Sequence, residues 1–300
     1  MSNNGTTILD IIGDTPLIRL QRMSQGEIFA KAEFLNPGGS IKDRIAKHII
    51  MGAIADGDLV PGDVIVEATS GNTGIGITMV GVQLGFRVII VMPENMSDER
   101  KKLIRGLGGE LELTPAKDSL DGCLSRLEEL RQEHAGHVYV PGQFVNPRNP
   151  EIHFTTTGPE IWEQAGHKVN VFVAGVGSGG TLQGVGSFLK TQNPNVQIVA
   201  VEPKNSAALL GREPGLHQIQ GIGDGFIPDV LDVSLVDMVM TVSDEDAIET
   251  TRRLAREEGI LAGTSSGANL WCALNLAAPG RRVVTVFPDR AERYFSTALI

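Results

Sequence analysis

Cysteine and positive charge are both scarce in this sequence. The chain of 300 residues has two cysteines, Cys123 and Cys272, which lie far apart and in no C-x-x-C pair. This pattern excludes a disulfide framework and a cysteine-rich zinc site, and it suits a reducing compartment. The formal net charge is −10 and no run of Lys or Arg is present, so the chain offers no basic face to nucleic acid or to an anionic membrane.

Long hydrophobic runs are missing as well. The most apolar window, Gly74–Met92, is interrupted by Gln83 and Arg87, and it predicts a helix followed by a buried strand. The first residues lack a basic stretch followed by an apolar one, so no signal peptide is expected. None of the histidines has the spacing of a metal ligand. These observations predict a cytoplasmic globular protein without a metal.

Short apolar runs alternate with amphipathic segments along the chain. The runs are rich in β-branched residues, which is typical of strands buried on both faces of a parallel sheet. They are Val64–Glu67, Val88–Met92, Val138–Val140, Val169–Ala174, Val196–Val201, Val236–Val242 and Val283–Phe287. Helical spacing is clearest over residues 45–54, 118–134 and 244–258, with Gly57 as a C-cap and Ser243 as an N-cap. The alternation predicts a doubly wound α/β architecture.

Turn-forming residues cluster at Pro141–Pro150, which predicts a domain join there. Each half of the chain then carries its own glycine-rich loop. Because ligands bind at the carboxyl ends of strands in such sheets, we expect the loops to face a cleft between the two halves.

A lysine stands at an unusual place in Pro37-Gly-Gly-Ser-Ile-Lys42-Asp-Arg44. Ser40 is placed to cap a helix that starts near Ile41, which puts Lys42 in the first turn. A cation there opposes the helix dipole at a cost of about 0.3–1 kcal/mol. Lys42 is therefore either a solvated lysine or a reactive amine, with a lowered pKa or tied up as a Schiff base.

A cluster of polar side chains follows the predicted strand Val64–Glu67 and precedes an apolar helix, Gly74–Leu84. Its members are Thr69, Ser70, Asn72 and Thr73. Hydroxyls, an amide and backbone N–H groups at a helix N-terminus make an anion site that needs no net positive charge. A capped turn without a ligand is the alternative.

The loop Gly175–Thr181 has the sequence GVGSGGT and satisfies the pattern G-x-G-x-x-G. Glu202 ends the next predicted strand, near the place of a ribose-binding acid in dinucleotide-binding proteins. A glycine loop on a helix N-terminus equally binds a single phosphate, and Ser178 and Thr181 add hydroxyl donors for a terminal phosphate.

The segment Gly263–Gly267, GTSSG, matches the nucleophile elbow G-x-S-x-G. In hydrolases of that type the histidine follows the serine, whereas all six histidines here precede Ser265. The hydrolase interpretation therefore fails. The serines are left as helix caps or as hydroxyls directed at a ligand.

Seven motifs occur in an order and spacing that together are specific. They are PGGSIKDR, EATSGNTG, QF-NP-NP-IH-TTGPEIW, GVGSGGT, IQGIGDGFIP, GTSSGA and FPDRAERYFST. The set resembles the cysteine synthase (O-acetylserine sulfhydrylase) family of pyridoxal-phosphate enzymes, which has the tryptophan synthase β-like fold. The resemblance implies two doubly wound α/β domains, with pyridoxal 5′-phosphate in the cleft between them. Residues 1–12 and 36–147 would form the smaller domain, and residues 13–35 and 148–300 the larger one.

The resemblance also implies roles for particular residues. Lys42 would bond covalently to the cofactor and act as the catalytic base, and Asn72 would hydrogen-bond the cofactor's 3′-oxygen. Ser265 would face the pyridine nitrogen, with Ser266 as the other candidate. The phosphate would lie in a cup formed by Gly177, Ser178, Gly179, Gly180 and Thr181. The substrate carboxylate would be held by Thr69, Ser70, Thr73 and Gln143.

The reaction that the resemblance implies is β-replacement, which makes L-cysteine from O-acetyl-L-serine and sulfide through an α-aminoacrylate. The sulfur donor stays open. Asp224 replaces the alanine of sulfide-using relatives, while LQRM, MPENMSDER and TTTGPEIW resemble the thiosulfate-using branch. A thiosulfate-using enzyme and a cystathionine β-synthase-like enzyme are therefore alternatives. The family is usually homodimeric, and the C-terminal tail of serine acetyltransferase is a candidate partner.

Two more distant alternatives come from the residues themselves. An NAD-dependent dehydrogenase would use the glycine loop and Glu202, but it gives Lys42 and the 69–73 cluster no joint purpose. A non-catalytic binding module would keep the fold without the chemistry.

Overall fold

A computed structural model describes residues 5–69, 71–134 and 136–299, without the side chains of residues 119–121. The chain divides into two compact units. Unit 1 comprises Met1–Gly13 and Asn36–Gly142, and unit 2 comprises Asp14–Leu35 and Gln143–Ile300. The join between the halves thus falls at Gly142–Gln143, five residues before the boundary expected after residue 147. Gln143 consequently belongs to unit 2.

Strands and helices alternate through both units. The strands are β1 (Leu17–Arg19), β2 (Glu27–Ala32), β3 (Val64–Ala68), β4 (Arg87–Pro93), β5 (Glu110–Thr114), β6 (Val138–Tyr139), β7 (Val171–Gly175), β8 (Gln197–Pro203), β9 (Met238–Val242) and β10 (Arg282–Phe287). The helices are α1 (Lys42–Asp56), α2 (Asn72–Gln83), α3 (Asp98–Gly106), α4 (Ser119–Glu133), α5 (Arg148–Ile152), α6 (Gly158–Gln164), α7 (Gly180–Gln192), α8 (Asp244–Arg253) and α9 (Thr264–Leu276).

Unit 1 is built on a parallel sheet with the strand order β5-β4-β3-β6. All five residues of β3 are buried, because helices cover both faces of the sheet. Ile65 and Ile90 pack on one face with residues of α1 and α2. Val66 and Val91 pack on the other face with residues of α4. This sheet is therefore doubly wound.

Unit 2 is built on a sheet with the strand order β1-β2-β10-β7-β8-β9. Its strands are parallel except β1, which is antiparallel to β2 at the edge. The early segment that contains β1 and β2 is anchored by Lys31, which is fully buried and lies 2.7 Å from the Glu160 carboxylate. The carboxyl ends of β7 and β10 lie at the same edge of this sheet, because the two strands are parallel.

The predicted architecture is confirmed in most of its elements. Each of the seven predicted strands is present, Gly57 ends α1 with a φ of +82°, and the Ser243 hydroxyl accepts from the Asp246 N–H at the start of α8. Two helix starts need correction. The first is α1, which begins at Lys42 with Ile41 as its N-cap, so Ser40 is not the capping residue. The second is α9, whose N-cap is Gly263, so neither Ser265 nor Ser266 caps it. No helix within the described ranges is long and apolar enough to cross a membrane.

Candidate active site

Lys42 is the first residue of α1, directly after a tight glycine turn. Its backbone N–H donates to the Ser40 hydroxyl at 3.2 Å, although the N-cap is Ile41 and Ser40 lies one residue before it. The Gly38 N–H donates to the buried carboxylate of Asp43 at 2.6 Å, and Gly39 has a φ of +81°. A side chain at Gly38 would lie 2.6 Å from an oxygen of that carboxylate, so the turn requires glycine there. Asp43 therefore holds the turn that leads into Lys42.

The polar cluster after β3 lies at the start of α2, beside Lys42. Asn72 is the first residue of α2, and a Cβ at Gly76, one turn later, would lie 3.0 Å from the Lys42 carbonyl oxygen. The absence of a side chain at Gly76 thus allows the start of α1 to approach α2. The structure brings Lys42 together with the loop that carries Asn72 and Thr73.

The loop between β3 and α2 is held from both sides. The Thr69 N–H donates to the Val91 carbonyl at 3.0 Å, and the Thr69 hydroxyl accepts from the Gly71 N–H at 3.2 Å. A Cβ at Gly71 would lie 2.8 Å from the guanidinium of Arg100, which is itself buried. Thr69 and Thr73 are both 3% exposed. Ser70, the remaining predicted member of this cluster, lies outside the described residues.

In unit 2 the glycine loop links β7 to α7. Gly179 has a φ of +79°, which favours glycine, and α7 begins at Gly180. A Cβ at Gly177 would lie 2.3 Å from the Gly221 carbonyl oxygen, so another backbone segment touches the loop directly. The first turn of α7 directs backbone N–H groups away from the helix, as an anion site requires.

Side chains of the segment 149–157 contact the hydroxyls of this loop. The Asn149 amide donates to the Ser178 hydroxyl at 3.0 Å and to the Gln143 carbonyl at 2.7 Å. His153 lies 3.3 Å from the Thr181 hydroxyl through Nε2, and 2.9 Å from the Thr157 hydroxyl through Nδ1. Gln143 and Ser178 are therefore joined through one amide group. The sequence showed Asn149 and His153 only as letters of a motif, and their roles come from the structure.

Ser265 lies in the first turn of α9, which a buried carboxylate holds in place. The Gly263 N–H donates to the Asp289 carbonyl at 3.0 Å, and a Cβ at Gly263 would lie 2.1 Å from an Asp289 carboxylate oxygen. The Tyr294 hydroxyl donates to the other oxygen of that carboxylate at 2.5 Å. Ser265 is 3% exposed, whereas Ser266 is 0% exposed. These contacts fix the start of α9 and the direction of its first N–H groups.

The side chains of α9 place it beside the glycine loop. The Asn269 amide donates to the Val286 carbonyl at 2.9 Å. A Cβ at Gly175, the last residue of β7, would lie 3.2 Å from the Asn269 amide oxygen. Since Asn269 lies one turn after Ser265, α9 starts near the point where β7 leads into the glycine loop. Unit 2 thus collects Gln143, the loop 177–181 and Ser265.

Asp224 is exposed and lies between two glycines with positive φ, Gly223 and Gly225. The Gly223 carbonyl accepts from the Ser206 hydroxyl at 2.9 Å and faces the Nε2 atom of His217 at 3.0 Å. The Gly223 N–H donates to the Val176 carbonyl at 2.9 Å. The turn that carries Asp224 is therefore attached to the start of the glycine loop.

Glu202 has a structural partner. Its carboxylate accepts from the Leu209 N–H at 3.2 Å through both oxygens, and the residue is 2% exposed. Burial raises the pKa of the Glu202 carboxyl, and the backbone N–H groups of Leu209 and Ala208 lower it to a smaller extent. A carboxylate occupied in this way gives the dehydrogenase alternative no ribose ligand.

Comparison with known proteins decides the family. A family model described as "Pyridoxal-phosphate dependent enzyme" matches residues 8–289. The chain belongs to the family of pyridoxal-phosphate dependent enzymes. The predicted family, the α/β fold class and pyridoxal phosphate as the cofactor are confirmed. Membership in this family also removes the dehydrogenase alternative.

Three proteins illustrate the similarity. The cysteine synthase of Staphylococcus aureus (strain Mu50 / ATCC 700699) is 47% identical over 299 residues, which covers 97% of this chain and 96% of that protein. The crystal structure of O-ureido-L-serine synthase has 46% identity and a TM-score of 0.94, and covers 98% of this chain and 95% of its own. The structure of cysteine synthase (OASS) from Entamoeba histolytica has 39% identity and a TM-score of 0.95, and covers 99% and 91%.

Proposed function

We propose that this protein catalyses β-replacement on an amino acid and makes L-cysteine from O-acetyl-L-serine and sulfide. The observation that carries the proposal is the arrangement of Lys42 beside the polar loop at the start of α2. Similarity to cysteine synthases along nearly the whole chain supports it. Bound pyridoxal phosphate supplies an electron sink that weakens bonds at Cα and Cβ of an amino acid attached to it.

The residues of unit 2 fit the phosphate of this cofactor. Gly177, Ser178, Gly179, Gly180 and Thr181 offer backbone N–H groups and two hydroxyls at the start of α7. A phosphate dianion has three terminal oxygens that accept hydrogen bonds, and it is favoured at a helix N-terminus. We assign the phosphate to this loop. Ser265, in the first turn of α9, is assigned to the pyridine nitrogen.

Lys42 is assigned to the covalent link with the cofactor and to proton transfer. Its amine would take the proton from Cα of the bound amino acid and later return it. The position of Lys42 at the start of α1 is unfavourable for an ammonium group, because the helix dipole is positive there. A primary amine in this position suits both nucleophilic attachment and general base catalysis.

The start of α2 is assigned to the substrate carboxylate. Thr69, Ser70 and Thr73 would supply hydroxyls, and Gln143 an amide, while Asn72 would bind the cofactor's 3′-oxygen. Thr69 and Thr73 belong to a loop and first helical turn with backbone N–H groups directed outward. These groups would hold the carboxylate of the amino acid through hydrogen bonds.

The nucleophile is open to a direct assay, because a neighbour of 46% identity is named O-ureido-L-serine synthase. O-ureido-L-serine is the product expected when hydroxyurea replaces sulfide at Cβ. Purified enzyme should be given O-acetyl-L-serine with sulfide, thiosulfate, homocysteine or hydroxyurea in parallel. The proposal requires sulfide to give the highest kcat/KM. A higher value with any of the other three assigns that nucleophile instead.

The role of Lys42 is tested by Lys42→Ala, with Lys47→Ala in the same helix as the control. Lys47 donates to the Leu9 carbonyl at 2.8 Å and has no assigned role in the reaction. We expect Lys42→Ala to lose the near-visible absorbance band of the covalently bound cofactor together with cysteine formation, and Lys47→Ala to keep both. An unchanged band in Lys42→Ala would remove the assignment.

We also propose that the protein acts as a homodimer in the cytoplasm and that the C-terminal tail of serine acetyltransferase competes with its substrate. The usual properties of the family support these proposals. Analytical ultracentrifugation tests the dimer. Displacement of O-acetyl-L-serine by a synthetic tail peptide tests the partner, and fractionation of cells tests the location.

A further inference from the structure

Two buried side chains contact the two hydroxyls of the glycine loop. Asn149 donates to the Ser178 hydroxyl at 3.0 Å, and His153 lies 3.3 Å from the Thr181 hydroxyl. Both Asn149 and His153 are 0% exposed, and both come from the segment 149–157. Both residues support the loop, and neither is assigned a part in cofactor binding above. The direction of these hydrogen bonds determines what the hydroxyls can offer to a ligand.

The direction at Ser178 follows from a carbonyl group. The Asn149 amide nitrogen also lies 2.7 Å from the Gln143 carbonyl, which can only accept. The NH₂ group of Asn149 must therefore point to this side, and its second hydrogen goes to the Ser178 oxygen. Because its oxygen accepts this bond, the Ser178 hydroxyl acts toward other groups as a donor.

The direction at Thr181 follows from Thr157. Thr157 is 0% exposed, and within the described part of the chain the Nδ1 atom of His153 is the partner of its hydroxyl, at 2.9 Å. A buried hydroxyl hydrogen without an acceptor is costly, so Thr157 donates to Nδ1. A neutral imidazole that accepts at Nδ1 carries its hydrogen on Nε2. Nε2–H then donates to the Thr181 oxygen and leaves the Thr181 hydrogen to donate.

We propose that Asn149 and His153 are positioning residues that turn the hydroxyl hydrogens of Ser178 and Thr181 toward the cofactor phosphate. A phosphate dianion only accepts hydrogen bonds, so a hydroxyl presented with its lone pairs would repel it. Donors that are fixed before binding lose no energy to reorientation. This inference rests on the proposed assignment of the phosphate to residues 177–181.

The test compares pyridoxal phosphate with pyridoxal, which lacks the phosphate. Apoenzyme is titrated with each compound, and binding is followed by absorbance. The dissociation constant for pyridoxal divided by that for pyridoxal phosphate isolates the contribution of the phosphate. We expect Asn149→Leu and His153→Phe each to weaken binding of pyridoxal phosphate about tenfold and to leave binding of pyridoxal unchanged, since hydrogen bonds to a charged group are among the strong ones. His153→Gln, which keeps a donor, should restore most of the loss.

Double-mutant cycles separate positioning from a general structural effect. Asn149→Leu is combined with Ser178→Ala, and His153→Phe with Thr181→Val. Positioning predicts that the first change adds no further loss once the hydroxyl is gone. Full additivity in both cycles would overturn the inference. The ³¹P NMR shift of the bound phosphate, compared between wild-type and His153→Gln holoenzyme, gives a readout independent of activity.

Failure of the site and failure of the inference have different signatures. If Ser178→Ala and Thr181→Val leave the ratio of dissociation constants unchanged, the phosphate is bound elsewhere and both proposals fall. If those two variants lower the ratio and the Asn149 and His153 variants do not, only the inference falls. Should His153→Phe fail to fold, Thr157→Val keeps the ring and removes the hydrogen bond to Nδ1. We then expect a severalfold loss that is specific to pyridoxal phosphate, and an unchanged ratio would overturn the inference.

Discussion

Replacing Gly177 by alanine tests whether the glycine loop is packed against a second backbone segment. The added Cβ would lie 2.3 Å from the Gly221 carbonyl oxygen, whereas real Cβ contacts under 3.0 Å are essentially never seen. The obstacle is backbone, so it cannot rotate away as a side chain does. One of the two segments must therefore move.

Neither segment can move without losing hydrogen bonds. Val176 donates to the Val201 carbonyl at 3.0 Å and accepts from the Gly223 N–H at 2.9 Å, so it is held on both sides. Overpacking a well-packed region costs about 1–3 kcal/mol. The loss of one backbone hydrogen bond adds about 0.5–1.5 kcal/mol. Gly177→Ala should therefore destabilise the protein by about 2–4 kcal/mol, and weaken pyridoxal phosphate binding at least tenfold because the loop N–H groups shift.

The assays are thermal unfolding of the apoenzyme and titration with pyridoxal phosphate. A loss of this size lowers Tm by about 5–15 °C, at roughly 2–4 °C for each kcal/mol. Gly106→Ala is the matched control: it ends α3, and nothing lies within 4 Å of its Cβ position. We expect the control to keep both Tm and affinity. If Gly177→Ala matched the control in both assays, the close approach of the two backbone segments would be refuted.

Four further predictions follow from individual residues. Tyr294→Phe removes a donor from a buried carboxylate and should lower the free energy of unfolding by about 1.5–3 kcal/mol in a urea titration; a change under about 0.5 kcal/mol would contradict this role. Burial raises the pKa of Glu202, so the folded state binds its proton more tightly than the unfolded state and wild-type stability falls as pH rises above the ordinary glutamate value. The stability of Glu202→Gln relative to wild type should accordingly improve from about pH 4.3 upward, as unfolding at several pH values will reveal. Asp224→Ala should raise sulfide turnover and lower any activity with homocysteine by up to about fivefold each, because an exposed charge interacts by about 1 kcal/mol or less; equal effects on both nucleophiles would make Asp224 only a turn residue. Burial raises the pKa of Cys272 to about 12 and also raises that of Cys123, so a thiol reagent at neutral pH should label neither in the native protein and both after denaturation.

The sequence was a good guide wherever a strand is buried on both faces. A continuous run of mostly apolar, β-branched residues such as Val283–Phe287 predicts a strand with both faces buried, as in a parallel sheet, and this run is buried in the structure. It was a poor guide at the edges. The strand β1 is short and only half-buried, and in β5 only Thr114 is fully buried, so neither has a clear apolar pattern. Their identity as strands depends on pairing with the preceding or following strand, β1 with β2 and β5 with β4, and not on their own apolar pattern.

The same contrast holds in the candidate site. The loops of the site could be predicted, because glycine, serine and threonine cluster at the ends of predicted strands. The buried residues that support these loops could not be predicted. A single buried polar residue such as Asn149 does not belong to any periodic pattern. Nothing in the sequence distinguishes a buried histidine such as His153 from an exposed one. Only the fold brings Asn149 within 2.7 Å of Gln143 and within 3.0 Å of Ser178.

The glycines of the site serve close packing as much as backbone freedom. A Cβ would lie 2.6 Å from Asp43 at Gly38, 1.9 Å from Asn149 at Gly180 and 2.1 Å from Asp289 at Gly263. Each of these glycines lies before or at the start of a helix, and each faces a buried polar side chain. Because glycine has no side chain, the polar side chain can approach the backbone closely and fix its position. The backbone N–H groups of the first turn then keep a constant direction. Of these three helix starts, that of α7 follows the loop 177–181, whose backbone N–H groups can bind an anion although the loop itself contains no cationic residue.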